Sequence, residues 1–207
     1  DMEELYNMVF SGYSNAEILA TNHDYILHID KIDKIRMTIL ADRYKGHRRL
    51  DLKVIYIFGK TGTGKTRYVL DTHGDENVYK ISDYKHPFDL YCYQPVMCFE
   101  EYRSQLPIAD MLQYLDIYPI DLPARYSNRF MCAENIYILS NEPLEEQYGN
   151  VQVERPETWA AFLRRITEVW IFGEDGKIKK YNSVYDYLNR SEDFHVQTIE
   201  ESKENPF

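Results

Sequence analysis

The sequence predicts an α/β protein in which buried strands alternate with helices. Apolar runs of strand type end at Phe58, Phe99 and Leu139, and each is followed by glycine or polar residues. Over residues 1–47 apolar residues instead recur at a helical spacing. The chain has 207 residues, enough for one substantial core with a small appendage. We therefore predict three parts, which are helices with a basic connector over 1–50, an α/β core over 51–181 and an acidic, flexible segment over 182–207.

A glycine-rich segment directly follows the first strand-like run. It reads Gly-Lys-Thr-Gly-Thr-Gly-Lys-Thr and fits the G-x-x-x-x-G-K-[ST] pattern of nucleoside triphosphatases. Its glycines can adopt backbone angles that turn N–H groups inward, toward an anion. Lys65 is expected to neutralise the β- and γ-phosphates, and the Thr66 hydroxyl to hold Mg²⁺. We predict a nucleotide site here rather than an ordinary glycine turn, comprising Gly59, Lys60, Thr61, Gly62, Thr63, Gly64, Lys65 and Thr66.

Two later strand-like runs end in polar residues that suit an ATP site. Glu100 and Glu101 follow the run that ends at Phe99. One carboxylate would support Mg²⁺ from a strand adjacent to the loop strand, and the other would polarise the attacking water. A charged turn after a strand is the ordinary alternative. Asn141, which follows another buried run, is predicted to hold the hydrolytic water, although Asn also commonly begins turns.

Composition limits the classes of function. A net charge of −10 argues against a broad basic coat for duplex DNA but allows a narrow basic channel. No apolar run reaches the length of a membrane span, and the opening residues Asp-Met-Glu-Glu lack the basic region and apolar block expected of a signal peptide. Because the first residue is Asp1, we expect a fragment or a processed product. The cysteines lack C-x-x-C spacing and are predicted to be buried thiols in a reducing compartment, at Cys92, Cys98 and Cys132.

The remaining segments give coarser predictions. Helices are expected over 2–10, after a capping box at Ser14, and from about Tyr25 to Gly46. Such helices could read DNA, but we favour packing or oligomerisation. A basic patch follows, as a solvated connector or a phosphate contact, at Lys45, Arg48, Arg49 and Lys53. In the core we predict helices over 66–71, 108–118 and 157–167, a projecting loop over 121–128 and a hairpin over 168–181.

The order of these motifs resembles the superfamily 3 helicase domain of rolling-circle replication initiators (Rep). Such initiators occur in circular single-stranded DNA viruses, such as circoviruses and geminiviruses, and in related bacterial plasmids. The resemblance covers about residues 50–173. Its motifs are the phosphate loop, Glu100-Glu101-Tyr102 with Leu106-Pro107, a helix from Leu112 to Tyr118-Pro119, Leu139-Ser140-Asn141 and Leu163-Arg164-Arg165-Ile166.

The resemblance implies a fold, an activity and partners. The fold would be an AAA+-like α/β core with a mainly parallel sheet, preceded by a small helical oligomerisation bundle. The activity would be ATP- and Mg²⁺-dependent movement of single-stranded DNA, 3′ to 5′, through a hexameric ring. The compartment would be intracellular, either bacterial cytoplasm or host nucleus. The chain lacks the family's His-hydrophobic-His and Tyr-x-x-Lys nuclease motifs, so we expect an endonuclease domain upstream in the full-length protein.

The resemblance also implies roles for individual residues. Lys65 and Thr66 would bind phosphate and Mg²⁺, and Asn141 would be the sensor. Glu100 and Glu101 would be the metal and water acids, in an order that the sequence leaves open. Either Arg164 or Arg165 would be the arginine finger that reaches the neighbouring subunit's γ-phosphate. Where the family's DNA loop usually reads Lys-Gly-Gly, the DNA-binding candidates here are Arg125, Tyr126, Asn128 and Arg129.

Three alternatives remain at this point. A related superfamily 3 motor could act on viral RNA. A small-molecule phosphotransferase could use the same phosphate loop, as a monomer or dimer. A nucleotide-gated scaffold could bind ATP without hydrolysing it.

Overall fold

The computed structural model describes residues 1–125 and 129–190. Tyr126 and Asn128, two of the DNA-binding candidates, lie outside the described residues. So does the part of the acidic segment that follows residue 190.

A six-stranded sheet forms the centre of the described part of the chain. Its strands, in spatial order, are β2 (Val78–Ile81), β3 (Val96–Phe99), β6 (Asn135–Ser140), β1 (Lys53–Phe58), β7 (Glu168–Phe172) and β8 (Ile178–Tyr181). Its first five strands in that order are mutually parallel, and β8 pairs with β7 antiparallel. Burial on both faces explains why the inner strands β3, β6, β1 and β7 are mainly apolar, whereas the edge strand β2 contains the exposed Lys80. Two short strands lie outside this sheet, β4 (Asp121–Leu122) and β5 (Arg129–Phe130).

One prediction about strand order is wrong. We expected Glu100 to follow a strand adjacent to the loop strand, but β6 lies between β1 and β3. Asn135 at the start of β6 is in register with Lys53 on one side and Val96 on the other. Since crossover connections in parallel sheets can pass over a neighbouring position, chain order alone does not give strand order. The predicted loop over 121–128 is bounded by β4 and β5, which form a separate antiparallel pair.

Helices cover both faces of the sheet. Alternate residues of β1 point to opposite faces of the sheet, where two apolar clusters lie. Val54 and Tyr56 belong to the larger cluster, and Ile55 and Ile57 belong to the smaller. The smaller cluster is completed by Val69, which lies on the helix over Lys65–His73. The helices are α1 (Met2–Phe10), α2 (Asn15–Thr21), α3 (Ile29–Tyr44), α4 (Lys65–His73), α5 (Ile108–Tyr114), α6 (Gly149–Glu154), α7 (Pro156–Arg165) and α8 (Val184–Leu188).

The N-terminal helices have a small core of their own. Its buried residues are Leu5, Val9, Ile18, Tyr25 and Ile32. The predicted capping box at the start of α2 is confirmed, because the Ser14 and Glu17 side chains bond to each other's backbone N–H groups. The C-terminal half of α3 packs against the main core, so the helices are attached to the sheet domain. A role in oligomerisation stays a prediction.

Two expectations are wrong, one about Arg49 in the basic patch and one about where helix α5 ends. Arg49 is fully buried, so it is neither a solvated connector nor a phosphate contact. Its guanidinium donates to the carbonyls of Ala133 at 3.0 Å and Tyr114 at 2.7 Å, and also to that of Asp116. Burial lowers the pKa of Arg49 to about 10, so it stays charged at neutral pH. Helix α5 stops at Tyr114 rather than continuing to Tyr118, and Arg49 binds the carbonyls of Tyr114 and Asp116 where the helix ends.

The cysteine prediction is confirmed for two residues and wrong for one. Cys98 and Cys132 are buried free thiols, and burial raises the pKa of each. Cys92 is exposed, because it lies in the irregular segment before β3 rather than in a strand. Within the described ranges, no helix combines the length and the apolar character needed to cross a membrane.

Candidate nucleotide-binding site

The glycine-rich loop joins β1 to α4 at the carboxyl edge of the sheet. Gly62 and Gly64 have φ angles of +87° and +86°, in the left-handed region that favours glycine. Gly59 is needed for a different reason. A Cβ at this position would lie 2.7 Å from the carbonyl oxygen of Phe172, so no side chain fits between β1 and β7.

Lys65, the first residue of α4, points its ammonium group back into the loop. It donates to the carbonyls of Gly59 and Lys60, the latter at 2.9 Å, and to Oδ1 of Asn141 at 2.9 Å. Its relative exposure is 9%, and burial lowers its pKa, an effect that Glu101 partly opposes. A cation that has lost water is stabilised by oxygen ligands. Phosphate oxygens, which are charged, would be stronger ligands than these neutral ones.

Thr66 and Glu100 meet across the site although their strands are not neighbours. The Thr66 hydroxyl donates to Oε1 of Glu100 at 2.9 Å. A hydroxyl and a carboxylate suit Mg²⁺, which usually binds one or two carboxylates together with phosphate oxygens and water. Within the described ranges, no cluster of three or more His, Cys, Asp or Glu side chains could hold a metal ion. Mg²⁺ at this position would complete its shell with phosphate oxygens and water.

Glu101 follows in a strained turn. Its φ angle is +48°, which is unusual for a residue with a side chain; such strained residues are enriched at active sites. Tyr84, which sequence reasoning missed, donates its hydroxyl to the carbonyl of Glu100 at 2.7 Å. It lies in a segment with no helical or strand period, so no local pattern marked it.

These side chains line one cavity of about 570 Å³. The predicted residues Lys65, Thr66, Glu100, Glu101 and Asn141 all contribute to it. The full lining is Thr61, Lys65, Thr66, Ser82, Tyr84, Glu100, Glu101, Arg103, Gln105, Leu139 and Asn141. Asn141 also donates from Nδ2 to Thr61 Oγ1 at 3.1 Å, which ties the end of β6 to the loop.

A second cavity, of about 220 Å³, lies on the other flank of the loop. Tyr68 forms its aromatic wall, with its ring edge-on to Phe172 at 5.5 Å. An ion pair of 2.8 Å between Lys60 and Glu174 connects the loop to the turn after β7. The lining is Thr63, Gly64, Arg67, Tyr68, Asp71, Phe172, Gly173, Gly176, Lys177 and Ile178.

The two finger candidates lie away from this edge and differ in environment. Helix α7 ends at Arg165, just before β7 begins at Glu168, so both arginines lie at the amino end of the strands. Arg165 donates to the Leu112 carbonyl at 2.8 Å and pairs with Asp116 at 2.7 Å. Arg164 is exposed, and among the described residues it forms no hydrogen bond or ion pair.

The described DNA-binding candidates are both anchored to Asp89. Arg125 pairs with Asp89 through Nε at 2.6 Å and also donates its backbone N–H to the same carboxylate. Arg129 donates to the Asp89 carbonyl at 3.4 Å. The structure thus fixes the start and the end of the loop through one acidic residue. Contact with DNA stays a prediction.

The fold and the site together define an α/β protein with a mainly parallel central sheet, compatible with a P-loop-like core. No family model matches the chain. Curated relatives do match it, and these matches confirm the resemblance to Rep proteins of circular single-stranded DNA viruses.

Three of these relatives illustrate the extent of the similarity. The chain is 28% identical to the Replication-associated protein of Goose circovirus over 153 residues, 73% of this chain and 48% of that protein. It is 27% identical to the Replication-associated protein of Beak and feather disease virus over 128 residues, 62% of this chain and 42% of that protein. For Pigeon circovirus the identity is 29% over 128 residues, 62% of this chain and 38% of that protein. The chain thus spans less than half the length of these relatives.

Proposed function

We propose that this chain is the motor part of a rolling-circle replication initiator, an ATP-driven 3′-to-5′ helicase that acts on single-stranded DNA. The observation that carries the proposal is the meeting of Lys65, Thr66, Glu100 and Asn141 around one cavity. These residues come from three separate chain segments and supply a cation for phosphate, two ligands for Mg²⁺ and an amide that can orient water. The name Replication-associated protein, which these viral relatives share, supports the role in replication.

Each side chain has a chemical task in this proposal. Lys65 exchanges its loop carbonyls for the β- and γ-phosphate oxygens of ATP. Thr66 and Glu100 support Mg²⁺, which when bound neutralises charge on the phosphates. Glu101 accepts a proton from water as the water oxygen bonds to the γ-phosphorus. The bond from that phosphorus to the ADP oxygen breaks, and Asn141 keeps the water in line.

In this proposal the positions of the two cavities determine how the nucleotide is oriented across the loop. Thr66, Glu100 and Asn141 all lie on the flank of the loop toward β6, which suits the γ-phosphate. A nucleotide that runs across the loop would then place its nucleoside in the second cavity, beside Tyr68 and Arg67. Tyr68 offers an aromatic face for a base, and Arg67 offers a cation for the α-phosphate.

Arg164 is the finger in this proposal. The contacts of Arg165 with Leu112 and Asp116 occupy its guanidinium within the subunit. Arg164 is exposed at the opposite end of the sheet from Lys65 and can serve only another subunit's site. This arrangement favours a homo-oligomeric ring, for which we propose six subunits. In such a ring the loop with Arg125, Tyr126, Asn128 and Arg129 would contact the DNA.

The deciding experiment measures ATP hydrolysis with and without single-stranded DNA, and unwinding of duplexes with 3′ or 5′ overhangs. We expect stimulation by DNA and unwinding from the 3′ overhang only. Lys65→Ala should abolish both activities. The control is Lys53→Ala, at the exposed start of β1 and away from the site, which should leave both activities unchanged.

The alternatives have distinct outcomes in the same assays. Preference for an RNA duplex would indicate a motor that acts on RNA. A chain that stays monomeric with an ATP analogue, and transfers phosphate to a small acceptor, would indicate a phosphotransferase. Hydrolysis that persists in Lys65→Ala would contradict the proposed site itself. The upstream endonuclease and the cellular compartment stay predictions.

A further inference from the structure

A group of polar side chains lies enclosed behind the candidate site. We call it the polar cluster, and it comprises Tyr56, Tyr102, Ser104, Ser140 and Gln147. All but Ser104 are buried, with relative exposures of 0%. Such groups cost free energy when they are buried without partners, so their hydrogen bonds show what the cluster holds together.

Gln147 is the centre of the polar cluster. Its amide group donates to the Tyr56 hydroxyl at 2.9 Å and to the Ser140 hydroxyl at 3.2 Å. Its carbonyl oxygen accepts from the Ser104 hydroxyl at 2.7 Å. One side chain therefore connects β1, the end of β6 and the turn that follows β3.

The first structure held by the cluster is the acid turn, residues 100–104. Its backbone is strained at Glu101 and Ser104, with φ angles of +48° and +57°. Tyr102 N–H donates to the Leu139 carbonyl at 2.8 Å, and the Ser140 hydroxyl donates to the Tyr102 carbonyl at 2.7 Å. Strained backbone persists only where surrounding contacts over-determine it, and these contacts do so here.

The second structure held by the cluster is the chain around Asn141. The Ser140 hydroxyl accepts from the N–H of Glu142 at 2.9 Å. The Tyr56 hydroxyl donates to the carbonyl of Glu142 at 2.7 Å. Both polar atoms of the Glu142 backbone are thus bound to the cluster, which fixes the backbone directly after Asn141.

We propose that Tyr56 and Gln147 are positioning residues that hold Glu101 and Asn141 in a fixed relative position. The proposal rests on the proposed function, in which these two residues act on the same water molecule. Displacing a reacting group by about 1 Å can cost roughly 10²-fold in rate. Loosening the cluster should therefore slow hydrolysis without weakening nucleotide binding, because Lys65 and Thr66 do not contact it directly.

The test compares two matched deletions of a buried hydroxyl, Tyr56→Phe and Tyr91→Phe. Tyr91 is also fully buried, and its hydroxyl donates to the Gln94 carbonyl at 3.0 Å, away from the site. We expect Tyr56→Phe to lower kcat about tenfold and to leave the Kd for ATP within about twofold. Tyr91→Phe should leave both constants unchanged. Equal kcat values in the two variants would overturn the proposal.

A second readout does not depend on catalysis. Hydrogen exchange measured by mass spectrometry should show that Tyr56→Phe and Gln147→Met lose protection over 99–105 and 139–144 together. Tyr91→Phe should keep protection in both segments. Loss of protection in only one segment, or in neither, would contradict the proposal that the polar cluster holds the two segments together. A wild-type chain without ATPase activity would count against the proposed function alone. The hydrogen-exchange result would still show whether the polar cluster holds the two segments together.

Discussion

The two ends of the central sheet each bury a cation, and the two cations differ in what surrounds them. Arg49, before β1, has a relative exposure of 0% and is enclosed by carbonyls such as those of Ala133 and Tyr114. Lys65, after β1, is bound by oxygens in a similar way but borders a cavity of about 570 Å³. A sealed cation can only hold the fold together, whereas a cation beside a cavity can exchange its ligands for a phosphate.

The same difference separates two neighbouring arginines at the amino end. Arg165 is tied to Asp116, whose backbone carbonyl also binds Arg49. Arg164 projects from the same helix end without such a partner among the described residues. The amino end therefore contains a structural network and, beside it, one arginine available to a second subunit. The following predictions test this division, beginning with the largest effect.

Arg164→Ala should lower the ATPase rate about 10³-fold or more, the range measured for arginine fingers. Nucleotide affinity should not change, because the phosphate loop is intact. Equal mixtures of Arg164→Ala and Lys65→Ala subunits should recover activity, since one variant supplies the arginine and the other the lysine. An active Arg164→Ala chain, or a mixture as inactive as its components, would contradict the shared site.

Arg49→Met should destabilise the fold by roughly 3 kcal/mol, because it leaves buried carbonyls of Ala133 and Tyr114 without donors. For a chain of this size the melting temperature should fall by about 6–12 °C. Lys65→Met is the control at the other end of the sheet, and it should change the melting temperature by less than about 3 °C. A similar loss in both variants would remove the distinction between the sealed and the open cation.

Arg165→Ala should cost about 1–2 kcal/mol of stability, because it breaks a part-buried ion pair and a hydrogen bond to the end of α5. Chemical unfolding would measure this loss. At temperatures where the variant is folded, its ATPase rate should stay within about threefold of wild type, since the contacts of Arg165 are internal. A rate loss as large as that of Arg164→Ala would assign the role of arginine finger to Arg165 instead.

The backbone geometry of the glycine-rich loop was predictable because it is determined locally. Eight contiguous residues determine both the backbone angles and the charge, and Gly62 and Gly64 adopt the angles expected of them. The strand runs were predictable for the same reason, since continuous apolar residues suit a sheet buried on both faces.

The structural features that could not be predicted depend on contacts between residues that are far apart in the chain. Arg49 and Ala133 are 84 positions apart, and Tyr56 and Gln147 are 91 positions apart. No periodic pattern marks such pairs, so a buried Arg49 looked like part of a basic surface patch. The position of β6 between β1 and β3 was missed likewise, because strand order depends on crossovers rather than on local sequence. The same limit hid the polar cluster behind the site.

The smallest predicted effect concerns His73, at the end of α4 opposite to Lys65. Burial lowers the pKa of its imidazole, and its Nε2 lies 2.9 Å from the Tyr137 hydroxyl. Because the folded state disfavours the protonated form, the unfolded chain binds more protons below the usual pKa of about 6.5. Stability is therefore full above that pH and is lost as the pH falls below it.

The loss should be about 0.5 kcal/mol between pH 7.5 and 5.5, because solvent reaches the part-buried ring and screens the charge. Urea unfolding of wild type and of His73→Phe at both pH values would measure it, and the variant should lack this component. His23→Phe, at an exposed histidine, is the matched control and should behave as wild type. ATP affinity should be the same in all three chains, since α4 presents Lys65 to the site and His73 to the core. A pH-dependent change in affinity that disappears in His73→Phe would show that the two ends of the sheet are coupled through this helix.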